Sequence, residues 1–193
     1  MANVTESVTR IAPLSPPYEP EVAEQLARMM PAGAEPIGLF RVFARNLPMA
    51  RAMFSLGHYQ LGRQLSLSLR EREIVIVRTC ALCRCEYEWG VHVAFFAGRA
   101  GFDAAQLRSL THGDAADACW ADPRERLLIR AVDALYRNGD LDDDLWLELR
   151  GTFGEAHILD VVLLCGWYQA ISTLARTARL ANEPGAPTFA SVG

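Results

Sequence analysis

The feature that most constrains the fold is a long stretch near the C-terminus with apolar residues on nearly every side of a helix. It runs from about Glu155 to Arg179. A helix that is apolar almost all round must be buried, either at the centre of its own subunit or against a second subunit. We therefore expect three residues of this helix to lie in the central packing or close to a subunit contact: Val161, Leu164 and Tyr168.

The rest of the chain carries helix start and stop signals rather than alternating strand patterns. Asp122-Pro123-Arg124-Glu125 places an acceptor, a proline and a carboxylate where a first helical turn needs them. Gly101 suits a helix end, while Pro36 and Pro48 suit first turns. The β-branched run 74–77 is flanked by residues that favour helix. The predicted fold class is all-α.

Composition and charge exclude several classes of function. The 193 residues are 51% hydrophobic and 22% charged, which suits one folded domain and neither a disordered nor a fibrous chain. With 19 basic against 23 acidic residues, the net charge of −4 is unlike that of a nucleic-acid-binding protein. The most apolar window, Ile158 to Ile171, is short for a membrane span. We expect a small-molecule substrate, no nucleic acid and no membrane.

The two ends of the chain are expected to lie outside the helical domain. Four prolines within residues 13–20 predict an irregular N-terminal tail over 1–20, without the apolar segment of a secretory signal. The helical domain is predicted over 21–182, followed by a C-terminal tail over 183–193. Five cysteines, three of them within six positions, do not resemble a disulfide framework. The expected compartment is therefore the reducing cytoplasm.

The residues best suited to catalysis lie in one predicted helix, from about Cys85 to Arg99. Cys85, Glu88 and His92 are spaced i, i+3 and i+7, so a helix projects all three from one face. Burying a thiol, a carboxylate and an imidazole is costly unless they satisfy one another. The same set is capable of acid–base or thiolate chemistry. Spacing alone leaves two alternatives, a catalytic site and a structural polar cluster.

The segment around these residues resembles a known family. It comprises Leu69-Arg70-Glu71-Arg72-Glu73, then Cys85-Glu86-Tyr87-Glu88-Trp89, and then His92. Over about residues 65–105 it is similar to the carboxymuconolactone decarboxylase / alkylhydroperoxidase D-like family. The resemblance implies an alkylhydroperoxidase D-like helical fold and a pocket near the start of the motif helix. It also implies that paired helices associate into homo-oligomers, as dimers, trimers or hexamers.

The pattern of the alkylhydroperoxidase branch is carried over position by position. Aligning its last histidine with His92 puts Cys85 at the first cysteine and Glu73 at the glutamate twelve residues earlier. Glu88 stands where the second, peroxide-reacting cysteine belongs, and Tyr87 where a histidine lies between the cysteines. A carboxylate forms neither a sulfenic acid nor a disulfide, so we expect little turnover through an intramolecular disulfide. The resemblance implies five candidate catalytic residues: Glu73, Cys85, Tyr87, Glu88 and His92.

A second cysteine pair, Cys80 and Cys83, lies out of the family register. Its apolar neighbours predict that these thiols pack as small hydrophobic groups. A zinc site formed with Cys85 and His92 is disfavoured, because its ligands would lie on different helix faces and across a helix break. We expect no metal and no cofactor.

The sequence supports two classes of function. The first is an enzyme similar to carboxymuconolactone decarboxylases, acting on a small organic acid or lactone with His92 as proton shuttle. In it, Glu73 or Glu88 orients the imidazole and fixes its tautomer. Its close variant is a thiol-dependent peroxidase, a peroxiredoxin-type antioxidant activity through Cys85. The second class is a non-catalytic helical oligomer. A cavity that opens onto Cys85 and His92 would favour catalysis, whereas a sealed cluster would favour the structural role.

Overall fold

The computed structural model describes residues 9–193, and every regular element in that range is helical. The predicted all-α class is confirmed, while the part of the predicted N-terminal tail over 1–8 lies outside the described residues. The elements are α1 (Pro20–Met29), α2 (Gly38–Phe43), α3 (Leu47–Leu61), α4 (Leu69–Leu82), α5 (Glu86–His92), a π-helical turn (Val93–Ala97), α6 (Gly98–Ala100), α7 (Ala104–His112), α8 (Pro123–Asn138), α9 (Asp143–Thr152), α10 (Glu155–Ala178) and a 3-10 turn (Phe189–Val192).

Helix α4 lies at the centre of the bundle. Its start is fixed by a reciprocal cap: the Ser68 hydroxyl accepts from the Glu71 N–H, and the Glu71 carboxylate accepts from the Ser68 N–H. Every residue from 72 to 80 is buried, and the helix packs against α5, α7, α8 and α10. Tertiary packing of this kind overrides strand propensity, which explains why the β-branched run 74–77 is helical.

The long apolar helix predicted near the C-terminus is α10, and it is buried on one face. Its inner face joins the main core against α4 and α8. The outer face carries four exposed apolar side chains, Leu159, Val162, Leu163 and Leu174. Among the described residues, α10 is the one helix long and apolar enough to cross a membrane. Its inner face accounts for much of that apolar character, because Val161, Leu164 and Tyr168 lie in central packing.

The predicted helix ends are in place with one exception. Asp122 caps α8 by accepting from the Arg124 N–H, and Gly101 follows α6 with a φ of 72°. Pro48 lies in the first turn of α3. Pro36, however, lies before α2, because Ile37 is extended and the helix starts at Gly38. This start is fixed from a distance, since the N–H of Gly38 donates to the carboxylate of Glu183 (2.6 Å).

The motif segment folds as two helices separated by a sharp break. Arg84, just after α4, takes a left-handed φ of 53°, and Cys85 is the N-cap residue of α5. From there the helix continues through the π-helical turn 93–97 into α6. Such turns contain one extra residue and are frequent at functional sites. The break brings residues of α4 and α5 together, since the two helices pack against each other.

A second layer, formed by α1, α2 and α3, covers one side of α5 and α10. A small core cluster joins α2 and α3 to these two helices. The segment after α10 also returns over α5, where Phe189 packs edge-on against Trp89 (5.2 Å between ring centroids). This return needs a glycine at position 90, because a Cβ there would lie 2.6 Å from the carbonyl oxygen of Pro187.

Candidate active site

A cavity of about 370 Å³ separates the N-terminal layer from the wall formed by α5 and α10. Small-molecule sites commonly have this size and a mostly apolar lining. Here the lining is dominated by Met, Phe, Leu and Ile side chains, and its acidic and basic members are Arg28, His58, Glu88 and His92. Arg28 and His58 are exposed, whereas Glu88 and His92 are buried. The cavity therefore has a charged outer end, an apolar middle and a charged inner end.

His92 is held between two carboxylates at the inner end. Its Nδ1 lies 2.8 Å from Oε2 of Glu73, and its Nε2 lies 3.5 Å from Oε1 of Glu88. Burial alone lowers the pKa of His92, but the Glu73 and Glu88 carboxylates outweigh it and raise the pKa to about 9. The ring is therefore charged at neutral pH, with a proton on both nitrogens. The expected contact between Glu73 and His92 is present.

Glu73 is fully buried, and Arg72 balances its charge. The Nε of Arg72 donates to Oε1 of Glu73 (2.8 Å), and a second guanidinium nitrogen lies 2.6 Å from the same oxygen. Without such a partner a buried carboxylate would be strongly destabilising. Two cations and two anions thus meet inside the protein: Arg72, Glu73, Glu88 and His92. We call these four residues the buried ion cluster.

Two aromatic rings pack on His92. The ring of Tyr168 meets it edge-on at 5.0 Å, and the ring of Phe96 lies tilted at 5.3 Å. Burial, followed by the charges of Glu88 and Glu73, raises the pKa of Tyr168 well above its usual range, so the phenol stays neutral. These rings shield the imidazole from bulk water and strengthen its interactions with the two carboxylates.

Glu88 is the member of the buried ion cluster with spare hydrogen-bonding capacity. Its Oε1 faces His92, while its buried Oε2 has no hydrogen-bond partner among the residues that the structure describes. An unpaired buried acceptor costs roughly 1–3 kcal/mol. Because Glu88 also lines the cavity, this oxygen is a candidate to accept a proton or a hydrogen bond from a ligand.

Cys85 does not join this site. It is the N-cap residue of α5, with φ −98° and ψ 81°, so the helical spacing rule does not apply to it. The thiol is buried in the small core cluster with Leu39 and Phe43, and Cys85 is not among the residues that line the cavity. Burial raises the pKa of the Cys85 thiol to about 11, whereas reactive thiols have a lowered pKa. The cavity thus opens onto His92 but not onto Cys85.

Tyr87 serves a different contact. Its hydroxyl accepts from the N–H of Leu39 (2.9 Å) and donates to the carboxylate of Glu183. Burial, followed by the Glu183 carboxylate, raises the pKa of Tyr87 far above its usual range. One position along a helix is a rotation of about 100°, so Tyr87 meets α2 and the C-terminal segment while Glu88 lines the cavity. Tyr87 therefore holds the start of α2, which forms one cavity wall.

The other thiols of the motif segment pack in the interior. Cys80 is fully buried, where burial raises the pKa of its thiol, and its Sγ lies 3.9 Å from the hydroxyl of Ser172. Cys83 is half-buried. Within residues 9–193 no three Cys, His, Asp or Glu side chains are grouped as metal ligands.

Comparison with known proteins finds a family model that matches the middle of the chain. Residues 48–134 match the model of the carboxymuconolactone decarboxylase family. The family resemblance is confirmed. This family segment contains all five candidate residues from 73 to 92, but it leaves out α1, α2 and α10, which supply much of the cavity lining.

Two solved structures share the family's helical fold. An uncharacterized peroxidase-related protein from Silicibacter sp. TM1040 is 17% identical, with a TM-score of 0.80 over 98% of this chain and 99% of that one. A protein of unknown function from Agrobacterium tumefaciens, ATU0492, described as a candidate antioxidant defence protein AhpD, is 19% identical. Its TM-score is 0.65 over 73% of this chain and 95% of that one. No curated protein matches the chain. At these identities the likeness establishes the fold alone.

Three residues of the site were missed by sequence reasoning. Arg72 lies in an alternating run of charges, a pattern usually found on a solvated face. Phe96 lies four residues after His92, and this helical spacing is a signal that could have found it. Arg28 lies far from the motif in sequence and outside the family segment, so no local pattern connects it to the cavity.

Proposed function

We propose that this protein is an enzyme that transfers a proton at a carbon next to a carbonyl group in a small organic acid or lactone. The observation that carries the proposal is His92, a buried charged imidazole that lines a ligand-sized cavity between two carboxylates. The match to the carboxymuconolactone decarboxylase family supports the substrate class.

In this proposal the three residues have separate tasks. Glu73 positions the imidazole, because its bond to Nδ1 leaves Nε2 on the side of Glu88. Glu88 accepts the proton from the substrate carbon, and the electron pair of the broken C–H bond moves onto the carbonyl oxygen. The N–H of the His92 imidazolium stabilises the resulting enolate oxygen.

Hydrogen exchange in D2O tests the proposed function. A panel of small lactones and keto acids is incubated with the protein, and NMR follows loss of the proton next to the carbonyl. The wild type should accelerate exchange, and His92→Gln should lose about 10²–10⁴-fold of that acceleration. His157→Gln is the matched control, since this histidine of α10 does not line the cavity. The proposal fails if the wild type accelerates no exchange, or if His92→Gln exchanges as fast as the wild type.

A thiol peroxidase activity through Cys85 receives little support from the same geometry. The thiol lies outside the cavity lining and is mostly protonated at neutral pH, because its pKa is raised to about 11. We expect wild type and Cys85→Ala to consume peroxide equally slowly. A rapid and reversible disulfide between Cys85 and Cys80 or Cys83, detected by mass spectrometry, would favour the thiol route instead.

We also propose a homo-oligomer formed through the outer face of α10. The support is the exposed apolar surface there, where Leu159 is 70% exposed, since apolar patches often mark contacts between proteins. Light scattering at micromolar concentration should give a mass above that of one chain, and Leu159→Glu should lower it. Leu147→Glu is the control, because Leu147 is 66% exposed on α9. A monomeric mass for the wild type contradicts the proposal.

A further inference from the structure

We propose that the substrate is a monoanion with an apolar body, and that Arg28 binds its carboxylate at the outer end of the cavity. The neutral reacting end of the substrate then lies at Glu88 and His92. This inference rests on the proposed function of the same site. It adds a substrate orientation and a specificity residue that lies outside the family segment.

Arg28 supplies a guanidinium group at the cavity. It lies in the last turn of α1, is exposed, and lines the cavity together with Phe54. Its Cζ lies 5.0 Å from the centroid of the Phe54 ring. Stacking on an aromatic face holds the guanidinium plane while leaving its N–H donors in the plane unused. None of the ion pairs among residues 9–193 involves Arg28.

A guanidinium placed in this way suits a carboxylate. Its planar set of donors matches the two oxygens of a carboxylate, and such bidentate pairs are among the stronger hydrogen bonds in proteins. His58 is a neighbour at the same end, since its ring lies 5.8 Å from that of Phe54 and it also lines the cavity. Among the residues that the structure describes, the outer end therefore presents nitrogen donors and no acidic side chain.

The inner end is unsuited to an anion. The buried ion cluster already pairs two cations with two anions, so a substrate carboxylate there would be a buried charge without compensation. It would also face Glu88, whose Oε2 lacks a hydrogen-bond partner among the described residues. A neutral carbonyl or hydroxyl group fits instead, because it accepts from the His92 imidazolium or donates to Glu88.

The middle of the cavity requires an apolar body between these two ends. Its walls come from α2, α3 and α10 and carry no charge. Five of the side chains that form them are Phe40, Phe43, Met53, Trp167 and Ile171. A ligand that is polar throughout would lose its hydration there without gaining hydrogen bonds. The three zones together select an amphipathic monoacid.

Binding of matched probes, measured by isothermal titration calorimetry, tests the proposal without turnover. Octanoate and octanamide share a carbon chain and differ in charge. Wild type should bind octanoate about tenfold more tightly than octanamide, as a charged hydrogen bond to an arginine predicts. Octanedioate, with a second carboxylate at the inner end, should bind more weakly than octanoate.

Two variants locate the effect. Arg28→Gln should abolish the preference for octanoate and leave the affinity for octanamide unchanged. Arg130→Gln removes the same charge from α8, which contributes nothing to the cavity lining, and should keep the preference. Equal affinity of wild type for the two probes, binding of neither, or a preference that survives in Arg28→Gln would overturn the proposal.

The outcomes separate this proposal from the proposed function. An Arg28-dependent preference for octanoate without any exchange activity refutes only the proposed function. Exchange of keto acids that depends on His92 but is unaffected by Arg28→Gln refutes only the role of Arg28.

Discussion

Helix α4 carries two buried arginines, and their charge networks end in different ways. Arg78 donates to both oxygens of Asp133 (2.7 and 3.0 Å) and to the carbonyls of Leu110 and Gly113 (3.1 and 2.9 Å). Asp133 accepts in addition from Arg137 (2.9 Å). These hydrogen bonds join groups of the protein to one another, and none of these residues lines the cavity. The network fixes α4 to α8 and to the end of α7.

The network of Arg72, six residues earlier, ends at the cavity instead. It runs from Arg72 through Glu73 and His92 to Glu88, where one carboxylate oxygen has no partner among the described residues. Both networks bury ionised groups in the same bundle. The difference teaches that burial of charge does not by itself mark a site. The mark is an incomplete network beside a cavity.

The sharpest way to break this comparison is to measure activity in both networks. His92→Gln should lower the rate of proton exchange by about 10²–10⁴-fold, because it removes the group that stabilises the enolate. Asp133→Asn should leave the rate per folded molecule unchanged. Exchange by NMR, scaled by the folded fraction from circular dichroism, gives both rates. A similar loss in both variants would show that the networks do not differ in function.

The Arg78 network, which should not affect activity, should contribute strongly to the stability of the fold. Asp133→Ala should lower the free energy of unfolding by about 3–5 kcal/mol, because Arg78 is then a buried charge without its partner. Urea denaturation measures this value. The control is Glu148→Ala, which removes the exposed pair with Arg130 and should cost far less, because exposed ion pairs contribute little to stability. If Asp133→Ala costs no more than the control, the Arg78 network is not structural.

The cavity network should make the stability of the fold depend on pH between about 6.5 and 9. The pKa of His92 is about 9 in the folded protein against about 6.5 in an unfolded chain. The charged ring therefore stabilises the fold fully below about pH 6.5, and this contribution disappears as the pH rises to about 9. Its size is on the order of 3 kcal/mol. Urea denaturation across this range should show the loss in wild type and in Asp133→Asn but not in His92→Gln.

A smaller effect on stability is expected for Glu88→Gln. The Gln amide can still accept a hydrogen bond from the His92 imidazolium but no longer balances its charge, so the free energy of unfolding should fall by about 1–2 kcal/mol, less than for Asp133→Ala. The pKa of His92, followed by NMR titration, should fall below its wild-type value because one of its two carboxylates is gone. Destabilisation as large as that of Asp133→Ala would mean that Glu88 is structural.

Local signals predicted the helices well, because the physics of helix ends is local. The Asp122 cap and the left-handed Gly101 depend on neighbours within a few residues and are where the sequence places them. The start of α2 depends on Glu183, which lies 145 residues away. The prediction that Pro36 lies in the first turn of a helix was therefore wrong. The inner face of α10 was recognisable from its apolar residues. Its exposed outer face was not.

The site was predictable where a family register spans two helices. That register brought Glu73 and His92 together across nineteen residues, and the structure places them 2.8 Å apart. Cys85 and Tyr87 do not line the cavity, because the helix starts only at Glu86 and a rotation of one residue changes the neighbour. The position of Arg28 depends on how α1 packs on α3. The spacing of residues along the motif gives no information on that packing.

The π-helical turn after His92 makes chain length itself a determinant of this cavity. Residues 93–97 form a wider turn than the 3.6 residues of an α-helix. Loss of one residue there would restore the ordinary turn and rotate the later residues of the helix by about 100° relative to His92. Phe95 and Phe96, which line the cavity beside the imidazole, would then present different surfaces. A single-codon deletion, with no substitution anywhere, is therefore a short evolutionary path to a differently shaped pocket around an unchanged His92.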